Sequence, residues 1–134
     1  MKPLALFILP LLSQFDHPIS WEGAHYVIVA SRETAQQAQE WGDALTRTTQ
    51  PSYIRSVASV SACYSGDFVR HFVRSAVRKL HPGHLYIDWG EAFARQNEVG
   101  VFPAVLRLDG DSTYHKREGV GGRGARGVGG RGAR

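Results

Sequence analysis

Cysteine is nearly absent from this chain, since Cys63 is the only one among its 134 residues. A single cysteine excludes an intramolecular disulfide and any Cys-x-x-Cys motif, so disulfide bridges give no indication of the redox compartment. Cys63 follows a predicted strand and precedes a helix, and a helix N-terminus can lower a thiol pKa. A thiol role for Cys63 is one hypothesis. Burial as a small apolar side chain is the other.

Other catalytic arrangements are absent as well. No Ser/His/Asp set, phosphate-binding glycine loop or carboxylate pair stands out, so nothing supports a hydrolase. His81 and His84 form a His-x-x-His pair in a loop, and His71 lies nearby in sequence. A metal site needs three or four converging ligands, whereas the loop supplies two. The sequence therefore predicts solvated histidines, and no metal or cofactor.

Acidic residues are absent from the last sixteen positions, where residues 119–126 are repeated unchanged as 127–134. This Gly/Arg repeat carries four of the chain's sixteen basic residues, so the net charge of +4 belongs to the tail and residues 1–118 are neutral. Its glycine content predicts a disordered tail. Its arginines could contact nucleic acid by charge alone, with a steep salt dependence, although no aromatic residues are interleaved to stack on bases.

No apolar run is long enough to cross a bilayer as a helix. The longest, within residues 1–14, has one Lys followed by about ten apolar residues, as in a short signal peptide. We expect residues 1–20 to be a signal peptide or N-terminal segment, with Ser13 as a cleavage position. The protein would then be periplasmic or secreted, with no transmembrane anchor after cleavage. The alternative is a buried N-terminal strand, in a protein that is otherwise cytoplasmic.

Hydrophobic periodicity predicts eight elements after this segment, in the order β-α-β-α-β-α-β-β. Such an order implies an α/β fold with a mixed sheet and helices on both faces. The predicted strands are 24–30, 53–63, 84–89, one that begins at Pro103, and 112–117; the predicted helices are 36–47, 68–80 and 90–98.

The helix over 68–80 is the most strongly amphipathic of these elements. Its apolar stripe, expected to face the core, is Phe68, Val69, Phe72, Val73, Ala76, Val77 and Leu80. Its cations recur at four-residue spacing as Arg70, Arg74 and Arg78. We expect these arginines to lie on the solvated face. They are the best candidate in the folded body for a surface that binds a protein partner.

The segment 99–110 carries the most specific pattern. It reads as a helix end, a proline at the entry of an apolar strand, and an Asp-Gly turn into the last strand. This arrangement resembles the cis-proline loop of thioredoxin-like proteins, and the resemblance extends from Tyr26 to Gly119. It implies a three-layer sandwich over residues 21–118 with a mixed sheet of four to five strands. The final helix of that fold has no counterpart before the tail.

Where a thioredoxin carries Cys-x-x-Cys, this chain has Ser31-Arg32-Glu33-Thr34. Within the superfamily, Ile87-Asp88 with Phe93, Val99 and Pro103 is similar to the TrbC-like proteins of conjugative pilus assembly. The resemblance implies a non-redox binding or assembly component of a bacterial envelope system, for conjugative transfer or secretion, with an unidentified protein partner. The expected docking residues are Ser31, Arg32, Glu33, Thr34, Phe102 and Pro103, with Arg70, Arg74 and Arg78 as a second contact zone.

Overall fold

A seven-stranded mixed sheet organises the part of the chain that the computed structural model describes, which is residues 4–6, 10–61, 66–81, 83–110 and 113–118. The chain order of the eight predicted elements is confirmed, and two short strands precede them. The strands are β1 (Leu4–Ala5), β2 (Leu12–Ser13), β3 (Tyr26–Ala30), β4 (Ile54–Val60), β5 (Tyr86–Trp89), β6 (Ala104–Leu108) and β7 (Thr113–Glu118); the helices are α1 (Ala35–Leu45), α2 (Asp67–Leu80) and α3 (Ala92–Gln96).

The spatial order of the strands is β1-β7-β6-β3-β4-β5-β2. Strands β3, β4 and β5 are parallel to one another, whereas β6 runs antiparallel to β3 and β7 runs antiparallel to β6. The carboxyl ends of the three parallel strands therefore meet at one edge of the sheet, and β6 begins at that same edge. In open α/β sheets, ligands bind outside the carboxyl ends of the strands.

The main core lies on one face of the sheet. Val27 and Val29 alternate onto this face from β3 and are fully buried, together with Phe93 of α3. The Trp21 ring stacks on the Phe93 ring at a centroid distance of 5.6 Å. These β-branched and aromatic side chains hold α3 against the strands, and so fix the chain that leads into β6.

A buried tyrosine of β7 is part of the same core. The hydroxyl of Tyr114 donates a hydrogen bond to the backbone oxygen of Asn97 at 2.5 Å. Burial, with a smaller effect from the carboxylate of Glu98, raises the pKa of Tyr114 to about 12. The phenol is therefore a neutral donor, and it joins β7 to the segment that follows α3.

Helix α1 covers the opposite face of β3. Its partly buried side chains Ala38, Trp41 and Leu45 follow the predicted apolar spacing. Gly42 lies over β3, where an added Cβ would meet the Cδ1 of Ile28 at 3.5 Å. The two faces of β3 are therefore covered by different helices, as a strand apolar on both faces requires.

Helix α2 corrects one prediction about its faces. Val69, Val73 and Val77 are half-buried as expected, but the other predicted core residues, Phe68, Phe72 and Leu80, are 74%, 59% and 83% exposed, and Ala76 is exposed as well. The apolar arc of this helix is wider than the surface available to cover it. The helix is rotated so that part of its arginine row faces the domain.

Part of the predicted 1–20 segment contributes to the sheet. Strand β1 pairs antiparallel with β7, and β2 pairs antiparallel with β5. Leu11 belongs to the core cluster, while Ser13 and Gln14 are 1% and 0% exposed. The sheet of the intact chain therefore extends beyond the predicted 21–118 domain. Cleavage after Ser13 would remove β1 and β2 from it. No helix among the described residues is long and apolar enough to cross a membrane.

The side chain of Gln14 attaches this segment to the loop between α2 and β5. Its Nε2 donates to the backbone oxygens of His81 and Gly83 at 3.0 and 2.6 Å, and its Oε1 accepts from the backbone N–H of Leu85 at 2.8 Å. The Gln14 side chain thereby pairs with three backbone groups that have no partner in the β2–β5 ladder.

We expect Gln14→Ala to lower the free energy of unfolding by about 2 kcal/mol, because the backbone groups of His81 and Leu85 lose this partner, whereas the exposed Gly83 carbonyl keeps the His81 ring beside it. Urea unfolding followed by circular dichroism measures this loss. The matched control is Gln39→Ala on the exposed side of α1, which should change stability by less than about 0.5 kcal/mol. An equally small change in the Gln14 variant would contradict the anchoring role.

Candidate functional site

The candidate docking edge is formed where β3 ends and β6 begins. In the antiparallel register of these strands Val29 lies opposite Ala104, which places Ala30 beside Pro103. Ser31 follows β3 directly, so the predicted docking residues 31–34 and 102–103 are brought to the same edge of the sheet. The Phe102–Pro103 peptide bond is cis.

A hydrogen-bonded turn occupies the position at which thioredoxins carry the Cys-x-x-Cys motif. Residues Arg32–Thr34 form a short 3-10 helix that leads into α1. The backbone N–H of Ser31 donates to Oγ1 of Thr34 at 3.0 Å, and the two side-chain oxygens also lie 3.0 Å apart. The backbone N–H of Thr34 donates to the carbonyl of Ser31 at 3.2 Å. The two hydroxyls satisfy each other, so the pair is a fixed polar surface.

The remaining side chains of the edge differ in exposure. Arg32 and Glu33 are exposed between the two hydroxyls, and Phe102 is half-buried against the core cluster. Pro103 is fully buried, so its contribution is to shape the entry into β6. The edge therefore offers one cation, one anion and part of an aromatic ring to a binding partner, and none of residues 31–34 and 102–103 carries a thiol.

The arginines predicted as a second contact zone are largely engaged by the domain itself. Nη1 of Arg74 lies 3.1 Å from Oδ1 of Asp16, and Nε of Arg78 donates to the carbonyl of Gln14 at 2.7 Å. The guanidinium of Arg70 lies over the ring of Trp89 at 5.0 Å. These contacts attach α2 to the turn after β2 and to β5, so the expectation of a solvated arginine face is wrong for Arg70 and Arg74. Arg78 remains partly exposed.

A cavity of about 330 Å³ separates α2 from the ends of β2 and β5. Arg70 and Arg74 line its α2 side, Trp89 and Asp88 border it from β5, and Asp16 borders it from the turn after β2. Because two cations and two carboxylates share this space, its formal charge balances.

Asp88, at the end of β5, is 1% exposed and fully hydrogen-bonded. Its Oδ1 accepts from the backbone N–H of Phe93 at 2.8 Å, and its Oδ2 accepts from that of Ala94 at 3.0 Å and from the Ser59 hydroxyl at 2.9 Å. The carboxylate thus caps the first turn of α3, where backbone N–H groups have no partner within the helix. This role is structural.

The histidines of the predicted pair make separate contacts. Nδ1 of His84 lies 3.1 Å from the Ser13 hydroxyl, whereas Nδ1 of His81 lies 2.9 Å from the carbonyl of Gly83. Among the described residues, no group of three His, Cys, Asp or Glu side chains could hold a metal ion. Cys63 and the tail at 119–134 lie outside the described residues, so the thiol and nucleic-acid hypotheses remain predictions.

Comparison with solved structures identifies the fold as thioredoxin-like. The pneumococcal exposed lipoprotein thioredoxin Etrx1 of Streptococcus pneumoniae superposes with a TM-score of 0.63 at 12% identity, over 83% of this chain and 88% of its own. A putative thiol:disulfide interchange protein DsbE of Chlorobium tepidum gives 0.60 at 12% identity, over 89% and 86%. The N-terminal domain of PilB of Neisseria gonorrhoeae gives 0.59 at 12% identity, over 81% and 78%. No protein-family model and no curated protein matches this sequence.

Three important residues were assigned no role from the sequence. Asp88 has a local signal, an aspartate shortly before a short helix that begins at Ala92. Gln14 and Asp16 have none, because their partners are 58 to 71 positions away along the chain. Only the pairing of β2 with β5 brings them together.

Proposed function

We propose that this protein is a non-redox thioredoxin-like binding protein that holds a polypeptide partner at the 31–34 and 102–103 edge. The observation that carries the proposal is the Ser31–Thr34 hydroxyl pair at 3.0 Å, with three-residue spacing, at the carboxyl end of β3. A thiolate can attack a disulfide, whereas a hydroxyl pair cannot take part in dithiol exchange. Binding at this edge is then non-covalent.

The charges of the edge support a polar peptide as the ligand. Arg32 and Glu33 are exposed and carry opposite charges. The half-buried ring of Phe102 supplies apolar contact area beside them. An extended segment with one apolar side chain and flanking charges fits this combination. Exposed charges add more to specificity and association rate than to affinity.

The setting that we propose is the bacterial envelope, in a conjugative-transfer or secretion assembly. Its support is the apolar N-terminal sequence and the similarity of Ile87-Asp88, Phe93, Val99 and Pro103 to TrbC-like proteins. In this setting the part of the chain around Gln14 stays with the folded domain, because Gln14 is buried in it.

A phage-displayed library of random peptides tests the docking edge. Peptides selected on the intact protein should associate more slowly with an Arg32→Ala/Glu33→Ala double variant and bind it several-fold more weakly, because two exposed charged contacts at the edge are lost. The matched control is Glu40→Ala/Arg47→Ala, which removes one exposed residue of each charge from α1 and the turn after it. If both double variants bind the selected peptides equally well, the edge is not the binding site.

A further inference from the structure

Helix α2 presents large apolar side chains to solvent with nothing among the described residues packed over them. Phe68 and Phe72 are 74% and 59% exposed and contact each other edge to face, with ring centroids 4.9 Å apart. Leu80, at the end of the helix, is 83% exposed. We call these three residues the apolar face of α2. An exposed aromatic pair on the same helix as an exposed aliphatic side chain marks an interaction surface rather than a scattered single residue.

The charges around this face are positive. Residues 68–81 contain no acid. Lys79 is exposed, lies two helical turns beyond Phe72 and is therefore on the same side of the helix. His71 is also exposed and lies one turn from Phe68 on the helix surface. The result is an amphipathic helix whose exposed side combines two aromatic rings and a leucine with cations.

We propose that the apolar face of α2 binds the surface of an anionic lipid bilayer. An interfacial helix of this kind inserts its Phe and Leu side chains at the boundary between headgroups and acyl chains, while flanking Lys and Arg contact anionic headgroups. Phe68, Phe72 and Leu80 supply the first component, and Lys79 supplies the second. This attachment is separate from the docking edge and goes beyond the proposed binding function.

The shape of the surface favours a bilayer over a protein. The cavity beside α2 is bordered by Arg70 and Arg74 and lies on the side of the helix that faces the domain. The exposed side is a convex row of projecting side chains. A bilayer interface accepts such a row without a complementary groove, whereas a protein partner would have to provide one.

The charge of α2 disfavours a second copy of this chain as the occupant. In a two-fold symmetric contact the same patch faces itself. Each α2 carries one acid, Asp67, against three arginines and one lysine, so two copies would bring together surfaces of like net charge, which is unfavourable in a contact that excludes water. Anionic headgroups have the opposite sign and present no such conflict.

Sedimentation with lipid vesicles tests the proposal on the full chain. The probes are vesicles of phosphatidylglycerol with phosphatidylcholine, and of phosphatidylcholine alone. We expect binding to the anionic vesicles, and a fall in the partition coefficient of at least about tenfold in Phe68→Ser/Phe72→Ser. Lys79→Glu should weaken binding to anionic vesicles while leaving the weak binding to neutral ones unchanged. Circular dichroism confirms that these exposed substitutions leave the fold intact.

The arginine tail requires its own control, because four arginines can attract anionic vesicles without α2. In a full-length variant with Arg123, Arg126, Arg131 and Arg134 replaced by serine, the effect of Phe68→Ser/Phe72→Ser should persist. Equal vesicle binding with and without the two phenylalanines would overturn the proposal. A second result would also overturn it. This is the absence of vesicle binding together with a dimer, or tight binding of a synthetic acidic amphipathic peptide, that depends on Phe68 and Phe72.

Discussion

Replacing Ser31 and Thr34 together with cysteine is expected to create an intrachain disulfide at the docking edge. The hydroxyl oxygens of these residues already lie 3.0 Å apart, within a turn that enters α1. Such a turn suits a disulfide between residues three positions apart, and the helix N-terminus lowers thiol pKa values. We expect a reduction potential between roughly −270 and −120 mV, the range of Cys-x-x-Cys proteins, together with measurable reduction of insulin.

The experiment is carried out with Cys63→Ser so that only the new thiols react. Titration of free thiols after equilibration with glutathione buffers gives the potential. The matched control pairs Ser31→Cys with Thr48→Cys, because Thr48 follows the eleven residues of α1 and is about 15 Å away. If the two thiols introduced at positions 31 and 34 stay reduced in buffers that oxidise thioredoxin, the docking edge lacks the geometry of a dithiol site.

Replacing Asp88 with alanine is expected to lower stability more than replacing Gln14 does. Two backbone N–H groups at the start of α3 and the Ser59 hydroxyl would lose their acceptor in a site that excludes water. Such losses cost about 3–5 kcal/mol in total, a large part of a typical domain stability. We expect the Tm to fall by roughly 10 °C or more.

Two further variants separate the capping role from the loss of a charge. Asp88→Asn keeps one carbonyl oxygen and should fall between wild type and Asp88→Ala. Asp43→Ala removes an exposed carboxylate from α1 and should change stability by less than about 0.5 kcal/mol. Calorimetry or urea unfolding of the three variants gives the order. A Tm for Asp88→Ala as close to wild type as that of Asp43→Ala would refute the capping role.

The docking edge shows what local sequence can predict. The strand that ends at Ala30 and the strand that was expected to begin at Pro103 were each predicted from nearby residues, because strand patterns act over short distances. Their meeting at one edge was implied by the thioredoxin resemblance. The hydrogen bonds between Ser31 and Thr34 explain why this edge is stable without cysteines.

The prediction for α2 holds for Val69, Val73 and Val77 and is wrong for the exposed Phe68, Phe72 and Leu80. Helical periodicity correctly grouped Phe68 and Phe72 together and grouped Arg70 with Arg74. It could not tell which group faces the domain, because that depends on partners outside the helix. Asp16 and Trp89, which contact the arginines, lie 58 and 19 positions away along the chain.

The sequence by itself determined the order of strands and helices from Tyr26 onward and the absence of a cysteine pair, since periodicity, turn residues and residue identity are local properties. The tertiary structure decided the rest. It paired the N-terminal strands with β5 and β7, buried Gln14, capped α3 with Asp88 and left Phe68 exposed. Each of these depends on contacts between distant segments, and which contacts form is decided only when the whole sheet assembles.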